Sequence, residues 1–283
     1  MSEGVRGSRV FQAFSYYTAS IPTLAIETSS NSPFVHLLGY GMRYSSSQNK
    51  GTLIITALNR GLLEEYGQDF LDTFPHKHLD LTVFSEDAVN IPHARLTYTD
   101  FATKHKDKPT HNYKMNAVKF SWKPQAIHTA LDLDYISNYD SIVWLDADIV
   151  FLKDITQEWI DEHLRTEHIM SYMGRPNYYS ECGVLFFNLK HDNTRTYIQD
   201  VWDYYLTERV FELSEWHDSY VFDYVRSKRQ LDNCWKFKDL GVDYKVRGGH
   251  IAVHLYGEWF DHRKGKRKRG AKSPENTVNN RRK

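Results

Sequence analysis

The chain has 283 residues, of which 41% are hydrophobic and 14% aromatic, enough to bury the core of one large domain. Lysine and arginine balance aspartate and glutamate at 36 each, so the net charge gives no indication of a polyanionic partner. The sequence contains no stretch of about 18 apolar residues, which excludes a membrane-spanning helix within it.

The first predicted elements follow a stretch without clear periodicity, residues 1–50, which we predict to be an N-terminal extension. A β-branched run at 51–57 predicts a buried strand, and the apolar spacing of 60–74 predicts a helix that Pro75 stops. A second strand is predicted at 79–84. Strand, helix and strand in this order indicate a parallel α/β unit.

The middle of the chain alternates between polar and apolar segments. The polar, lysine-rich stretch 100–112 predicts a loop, and 113–133 predicts a helix whose second half opens at Pro124. A strongly apolar strand is predicted at 141–145, and a further apolar run begins at Ile149.

The later elements are predicted from the same apolar periodicity. Predicted helices lie at 155–164, 194–211 and 216–225, and predicted strands at 169–173, 183–187 and 251–255. The elements together predict an α/β fold in a single domain spanning 51–270, followed by a flexible polar tail at 271–283.

The most informative segment is Trp144-Leu145-Asp146-Ala147-Asp148, in which an apolar strand runs into two carboxylates one residue apart. Strand ends in α/β sheets are where ligands bind. Two neighbouring aspartates in a partly buried site repel each other and resist desolvation, and a divalent cation reverses that balance. Oxygen ligands favour hard cations, so we predict that Asp146 and Asp148 bind Mn²⁺ or Mg²⁺.

An Asp-x-Asp pair is a weak signal alone, because aspartate is common in turns and at helix N-termini. The chain also contains Asp132-Leu133-Asp134, which we interpret as a helix end and turn. Asp146 and Asp148 differ from that pair because apolar runs flank them on both sides, and no glycine or proline is present to form an ordinary turn.

The strand and its aspartates, residues 139–148, resemble the Asp-x-Asp strand of glycosyltransferases with the GT-A fold. They are most similar to the retaining enzymes of glycosyltransferase family 8. Two downstream segments, 181–190 and 217–223, also resemble that family and come in the expected order. The resemblance covers residues 51–270 and implies a GT-A-like, Rossmann-type central mixed sheet flanked by helices.

The last matching segment is His262-x-x-Gly265-x-x-Lys268, which resembles a motif of the same spacing in the family. The resemblance implies that His262 is the third metal ligand, that Lys268 meets the donor diphosphate, and that Gly265 lets the backbone approach it. It also implies a donor contact for Lys123, on the helix that leads to the strand. His254 is a partial rival to His262, but it lacks the lysine.

Three further positions are assigned to donor binding by the resemblance: Thr56 and Asn59 at the end of the first strand, and Ala147 between the aspartates. The first strand lacks the family's usual acidic ending. On the sugar side, Asp218 and Glu181 are the candidate catalytic residues, since either could bind sugar hydroxyls or stabilise oxocarbenium-like charge.

These features predict a metal-dependent glycosyltransferase that moves a sugar from a nucleotide-sugar donor to a glycan or other hydroxyl acceptor. The resemblance implies a UDP-linked donor and retention. A metal and a lysine would stabilise the charge that grows on the departing diphosphate. Two alternatives stay open: nucleic-acid binding through the basic stretch 263–272, which the Asp-x-Asp pair makes less favoured, and metal-dependent diphosphate hydrolysis.

The two cysteines, Cys182 and Cys234, have neither a paired framework nor a CxxC spacing, which favours a reducing compartment. The N-terminus has no unbroken apolar stretch typical of a secretory signal. From these two observations we expect a cytoplasmic protein.

Overall fold

The computed structural model describes residues 34–38, 41–45, 51–96, 100–108, 112–175, 177–243, 255–256 and 258–263. Two residues of the predicted donor-binding motif, Gly265 and Lys268, lie outside the described residues. So do His254, most of the predicted strand 251–255 and the predicted tail.

The described strands, in chain order, are β1 Phe34–Leu38, β2 Gly41–Ser45, β3 Thr52–Ala57, β4 Asp80–Ser85, β5 Ala94–Arg95, β6 Ser141–Leu145, β7 Ile149–Phe151, β8 Met170–Arg175, β9 Tyr178–Asn188, β10 Lys238–Asp239 and β11 Phe260–His262. The described α-helices are α1 Arg60–Leu62, α2 Gln68–Thr73, α3 Asp100–His105, α4 Ala117–Ala130, α5 Gln157–His163, α6 Thr194–Leu206, α7 Asp218–Asn233 and α8 Leu240–Asp243. A π-helical turn, Leu63–Gly67, joins α1 to α2.

Within the described residues, nine strands form one mixed sheet in the order β1-β2-β4-β3-β6-β9-β8-β10, with β5 beside β4. The central strands β4, β3 and β6 run parallel, and β9 runs antiparallel to β6. Helices pack on both faces of this sheet, so the predicted α/β class with a central mixed sheet is confirmed.

The N-terminal strands β1 and β2 pair antiparallel, and β2 meets β4 at Tyr44 and Leu81. Part of the stretch predicted as an extension therefore continues the sheet at its β4 side. The division of the chain at residue 50 stays a prediction.

The central strands are buried on both faces, which explains their continuous apolar runs. In β6, Ile142 and Trp144 point to the face covered by α4, α6 and α7, whereas Val143 and Leu145 point to the face covered by α2 and α5. Because β6 is fixed from both sides, the residues that follow it are held in place at the sheet edge.

Two predictions about local structure are wrong. The lysine-rich stretch predicted as a loop contains helix α3, in which the buried Phe101 stacks on Phe211 at 5.7 Å between ring centroids. Pro124 does not open a half-helix, because α4 begins at Ala117 behind an Asn116 N-cap and runs through it. In both cases tertiary packing outweighs the local sequence signal.

The other long elements are found close to where they are predicted, and two of them are longer. Strand β9 extends from Tyr178, and helix α7 extends to Asn233. None of the described helices combines the length and the apolar character needed to cross a membrane.

Candidate active site

A cleft of about 1600 Å³ opens at the carboxyl ends of β3, β4 and β6. Ala57 is the last residue of β3, Glu86 comes directly after β4, and the segment from Asp146 to Asp148 comes directly after β6. This is the edge at which ligands bind in open α/β sheets, because the parallel strands and their loops end together there.

The floor of the cleft holds the two predicted aspartates and the predicted histidine. The Nε2 atom of His262 lies 2.9 Å from Oδ1 of Asp148 and 3.6 Å from Oδ2 of Asp146. One ligand atom from each of the three residues lies within 4.8 Å of the others. Two carboxylate oxygens and an imidazole nitrogen at such spacing form a donor set that suits Mn²⁺ or Mg²⁺.

Strand pairing brings His262 to the aspartates. The short strand β11 runs antiparallel to β7, and its register places His262 opposite Ile149, the residue directly after Asp148. The backbone N–H of Arg263 donates to the carbonyl of Asp148 at 2.9 Å. The candidate metal cluster is therefore built by a two-stranded ladder between segments far apart in the sequence.

The position of His262 also requires a glycine at residue 183 of β9. A Cβ atom there would lie 2.5 Å from Cε1 of His262 and 2.7 Å from the hydroxyl of Tyr256. The carbonyl of Gly183 accepts a hydrogen bond from the N–H of Asp146 at 2.8 Å. Gly183 thus lets the imidazole approach the sheet while its own backbone anchors the aspartate.

Lys123, from α4, links the candidate metal cluster to the rest of the floor. Its Nζ lies 2.9 Å from Oδ1 of Asp146 and 2.8 Å from Oδ2 of Asp218, and it donates to the carbonyl of Cys182 at 2.8 Å. Burial lowers the pKa of Lys123, but the two carboxylates outweigh it and hold that pKa well above its usual value. The lysine stays charged and holds the two aspartates together.

Glu181 and Asp218, the predicted sugar-side carboxylates, both line the same cleft. Glu181 accepts from the backbone N–H of Gly183 at 3.2 Å, and Oε2 lies 3.5 Å from Arg175. Asp218 begins helix α7, where it accepts from the N–H of Ser219 at 2.8 Å. The structure therefore places both carboxylates beside the predicted metal ligands.

Of the other described residues predicted to bind the donor, two line the cleft and one does not. Asn59 and Ala147 line the cleft. Asn59 accepts from the N–H of Leu62 at 2.9 Å and donates to Glu86 at 3.2 Å. Thr56 is fully buried in β3 and is not among the lining residues.

Two cleft residues were not singled out from the sequence. Trp144, predicted only as strand packing, donates from its indole Nε1 to Oδ1 of Asp146 at 2.7 Å. Tyr66 lies in the π-helical turn, and burial raises the pKa of its hydroxyl, with Asp148 and Asp146 adding to the effect. The hydroxyl stays protonated beside the carboxylates, and π-turns of this kind often occur at functional sites.

The cleft has two walls of different composition. The strand-end wall consists of Ala57, Leu58, Asn59, Leu62, Tyr66 and Glu86. The lysine wall comprises the lining residues between 105 and 120 and between 175 and 179, and its lysines and tyrosines are Lys106, Lys108, Tyr113, Lys114, Lys119, Tyr178 and Tyr179. The strand-end wall lies at the ends of β3 and β4, which are on one side of β6 in the sheet. The lysine wall includes the start of β9, which is on the other side of β6.

The sequence matches no protein-family model and no curated protein. Several solved glycosyltransferases are similar to part of this chain. One is a glycosyltransferase involved in glycosylation of the major capsid of PBCV-1, with 15% identity over 77% of this chain and 96% of that one, at a TM-score of 0.41. Another is the galactosyltransferase LgtC, with 13% identity over 61% of this chain and 70% of that one, at a TM-score of 0.39.

Two larger glycosyltransferases are also similar. GlyE of Streptococcus pneumoniae TIGR4 shares 16% identity over 68% of this chain at a TM-score of 0.41, and the bifunctional WbbM shares 12% over 69% at 0.39. The chain spans 45% of GlyE and 39% of WbbM. Likeness at this level assigns neither a family nor a reaction, so the function must be argued from the residues of the cleft.

Proposed function

We propose that the protein is a metal-dependent glycosyltransferase that uses a nucleotide-sugar donor. The observation that supports this most is the cluster of Asp146, Asp148 and His262 on the floor of a large cleft, with Lys123 and Asp218 beside it. The cleft is large enough for a nucleotide-sugar and part of an acceptor, since drug-sized ligands occupy pockets of about 300–1,000 Å³.

The cluster fits a hard divalent cation. Each of its three residues offers one ligand atom, and such a set leaves coordination positions for the oxygens of a diphosphate. When bound, Mn²⁺ or Mg²⁺ supplies positive charge that stabilises a departing nucleoside diphosphate. A cation between Asp146 and Asp148 would also reduce the repulsion between them, which would explain how two carboxylates lie close together at the strand end.

The side chains of the floor have separable roles in this proposal. Lys123 keeps its charge and fixes the orientation of Asp146 and Asp218, so neither carboxylate has to reorganise when the donor binds. Asp218 and Glu181 accept hydrogen bonds from sugar hydroxyls and offer negative charge to an oxocarbenium-like transition state. We extend the proposal to a UDP donor and to retention on the strength of the sequence resemblance.

The strand-end wall is the side on which we place the nucleoside. It presents apolar side chains and the polar tips of Asn59 and Tyr66, and it lies next to Ala147 at the metal cluster. Mostly apolar surface with a few fixed polar groups is typical of small-molecule sites. The donor contacts predicted for Gly265 and Lys268 stay predictions.

The test compares the wild-type protein with Asp148→Ala, using thermal shift with UDP, with and without Mn²⁺. A ligand at 100 times its Kd stabilises the folded state by about 2.7 kcal/mol, so a Mn²⁺-dependent increase in Tm is expected for the wild type. Asp148→Ala should lose that increase and stay folded. The control is Asp154→Ala, because Asp154 is 71% exposed and lies outside the cleft lining.

Normal Mn²⁺-dependent UDP binding by Asp148→Ala would refute the proposed metal site. Product analysis with a UDP-sugar then separates transfer from hydrolysis, because free sugar released equally with and without an acceptor would indicate a hydrolase. The nucleic-acid alternative rests on residues 263–272, of which the structure describes Arg263 alone.

A further inference from the structure

The two walls of the cleft differ in charge. Among its described residues, the strand-end wall carries one charged side chain, Glu86. The lysine wall carries four lysines and no acidic side chain. This asymmetry is local, since the whole chain has equal numbers of basic and acidic residues.

Most of the positive charge of the lysine wall faces solvent without an acidic partner. Lys106, Lys108 and Lys119 are exposed, and within the described part of the chain none of them has a carboxylate within 4.0 Å. Lys108 lies over the ring of Phe211, with Nζ 3.8 Å from the centroid, and Lys114 pairs with Glu215 at 2.7 Å. Three lysine charges are therefore left to interact with a ligand.

Exposed aromatic rings accompany these lysines. Tyr113 is 64% exposed and Tyr178 is 62% exposed, although both line the cleft. Large rings left open at the side of a cleft offer flat apolar faces with a polar tip, which suits the face of a sugar ring. They are not needed for the core, since neither belongs to the buried clusters.

The aromatic surface is continuous with the floor. The ring of His217 lies 6.3 Å from that of Tyr113 and 5.0 Å from that of Tyr179. His217 is the N-cap of α7, and Asp218 follows it directly. A ligand lying along the tyrosines would thus lead to the carboxylate that Lys123 holds beside the metal cluster.

The inner end of this path offers two hydrogen-bond acceptors, Asp218 and Glu181, which are paired with Lys123 and Arg175 respectively. Carboxylate oxygens accept hydrogen bonds, so they suit the hydroxyl groups of a sugar. The outer part is cationic and aromatic. A ligand with hydroxyls at its inner end and negative charges further out matches both parts.

We propose that the lysine wall is the acceptor subsite and that the acceptor is an anionic saccharide, one that carries carboxylate, sulfate or phosphate groups. This inference rests on the proposed glycosyltransferase function. The donor does not account for the wall, because the diphosphate would lie at the metal cluster with Lys123, and the nucleoside on the strand-end wall. The lysines bind the acidic groups, and the tyrosines stack on the sugar rings.

The experiment measures binding of saccharides to the full chain in the presence of UDP and Mn²⁺. The probes are an array of neutral and anionic oligosaccharides and, in solution, a galacturonate trisaccharide with its fully methyl-esterified form as a matched neutral partner. A single-stranded oligonucleotide serves as a third probe, because lysines interleaved with aromatic rings also bind single strands. Wild type is compared with the double variant Lys106→Gln/Lys119→Gln.

The control is Lys228→Gln/Lys236→Gln, which makes the same change of charge at exposed positions outside the cleft lining. The wild type and the control should bind anionic saccharides in preference to neutral ones. In Lys106→Gln/Lys119→Gln, binding of the anionic members should weaken about tenfold, as expected for two exposed charge contacts, whereas binding of neutral members should not change.

Absence of any preference for anionic saccharides in the wild type would overturn the proposal, and so would a preference that survives in Lys106→Gln/Lys119→Gln. Stronger binding of the oligonucleotide, lost in the same variant, would assign the wall to nucleic acid instead. The Mn²⁺-dependent thermal shift with UDP is recorded on all three proteins. If the wild type shows no Mn²⁺-dependent shift, the proposed function is refuted. If the wild type shows the shift but no preference for anionic saccharides, only the proposed acceptor class is refuted.

Discussion

The strand-end wall and the lysine wall border the same cleft but are built differently. The strand-end wall lies at the ends of β3 and β4, and β3 is fixed by parallel ladders to β4 on one side and to β6 on the other. The second is assembled from loops and element ends held by individual contacts, such as the hydrogen bond from the N–H of Trp216 to the carbonyl of Lys114 at 2.8 Å. On the proposed function, the sheet would fix the part of the site that binds the donor, and loops would carry the part that selects an acceptor.

The two walls meet at the floor, where one lysine connects them. Lys123 pairs with Asp146, which belongs to the sheet edge, and with Asp218, which belongs to the helix beside the lysine wall. Changes on the floor should therefore affect the whole site, whereas changes on either wall should affect one substrate. The following predictions test that division, from the largest expected effect to the smallest.

Replacing Lys123 by methionine should have the largest effect. It leaves two largely buried carboxylates without their cation, and removal of one partner from a buried ion pair typically costs about 3–5 kcal/mol. The free energy of unfolding, measured in urea, should fall by that order. The control Lys190→Met removes an exposed pair with Asp140 and should cost less than about 1 kcal/mol. Equal effects of the two substitutions would mean that Lys123 does not connect the walls.

The same substitution predicts a pH dependence. Burial lowers the pKa of Lys123, but the two carboxylates outweigh burial, so the pKa in the folded state lies well above the ordinary value. A raised lysine pKa contributes stability that is complete below the unfolded value of about 10.4 and is lost as the pH rises through the folded value. The stability difference between wild type and Lys123→Met should be constant from about pH 7 to about pH 9 and shrink above about pH 10.4. A difference that shrinks on acidification within the neutral range instead would contradict this origin.

Gly183→Ala tests the floor of the cleft without replacing any of the three proposed metal-ligating residues. The added Cβ would overlap His262 and Tyr256, so His262 must move and Mn²⁺ affinity should fall about 10- to 100-fold, as for other changes that disturb the orientation of metal ligands. Isothermal titration with Mn²⁺ measures the loss. Gly61→Ala is the matched control, because its Cβ would be 3.6 Å from the nearest atom.

If Gly183 acts through His262, the double variant Gly183→Ala/His262→Ala should bind Mn²⁺ no more weakly than His262→Ala alone. Additive losses in that double-mutant cycle would show that the glycine matters for another reason.

Trp144→Phe should have a smaller effect on the floor. It removes the indole N–H that donates to Oδ1 of Asp146, so Mn²⁺ affinity should fall about tenfold with little change in the fold. Trp216→Phe is the control, since that indole donates to the carbonyl of Leu213 at 3.1 Å and Trp216 does not line the cleft. Unchanged Mn²⁺ binding by Trp144→Phe would show that this hydrogen bond does not orient the aspartate.

The two walls themselves are compared by Asn59→Ala and Tyr178→Ala in steady-state kinetics. On the strand-end wall, Asn59→Ala should raise the KM for the donor and leave the KM for the acceptor unchanged. On the lysine wall, Tyr178→Ala should raise the KM for the acceptor about fivefold, as expected for loss of one stacking contact of about 1 kcal/mol. If each variant raised the KM values for both donor and acceptor, the two walls could not be assigned to separate substrates.

Part of the candidate site was predictable because its signal is local. An apolar strand ending in two aspartates identifies the sheet edge in a few residues, and Asp146 and Asp148 lie there in the structure. The helix 113–133 and the loop 100–112 were harder to predict, because a lysine-rich segment hides the buried Phe101 and because Pro124 suggests a break that packing overrides. Local propensity is a weak guide where tertiary contacts decide.

By itself, the sequence determined the α/β class and the chemical character of the strand end, because burial of β6 on both faces demands a continuous apolar run and the polar residues after it stand out. The pairing of β11 with β7 and the neighbourhood of Lys123, Asp146 and Asp218 were decided by the tertiary structure. So was the separation of charge between the two walls. These features join residues far apart in the chain, and their geometry depends on strand register and packing that no local pattern encodes.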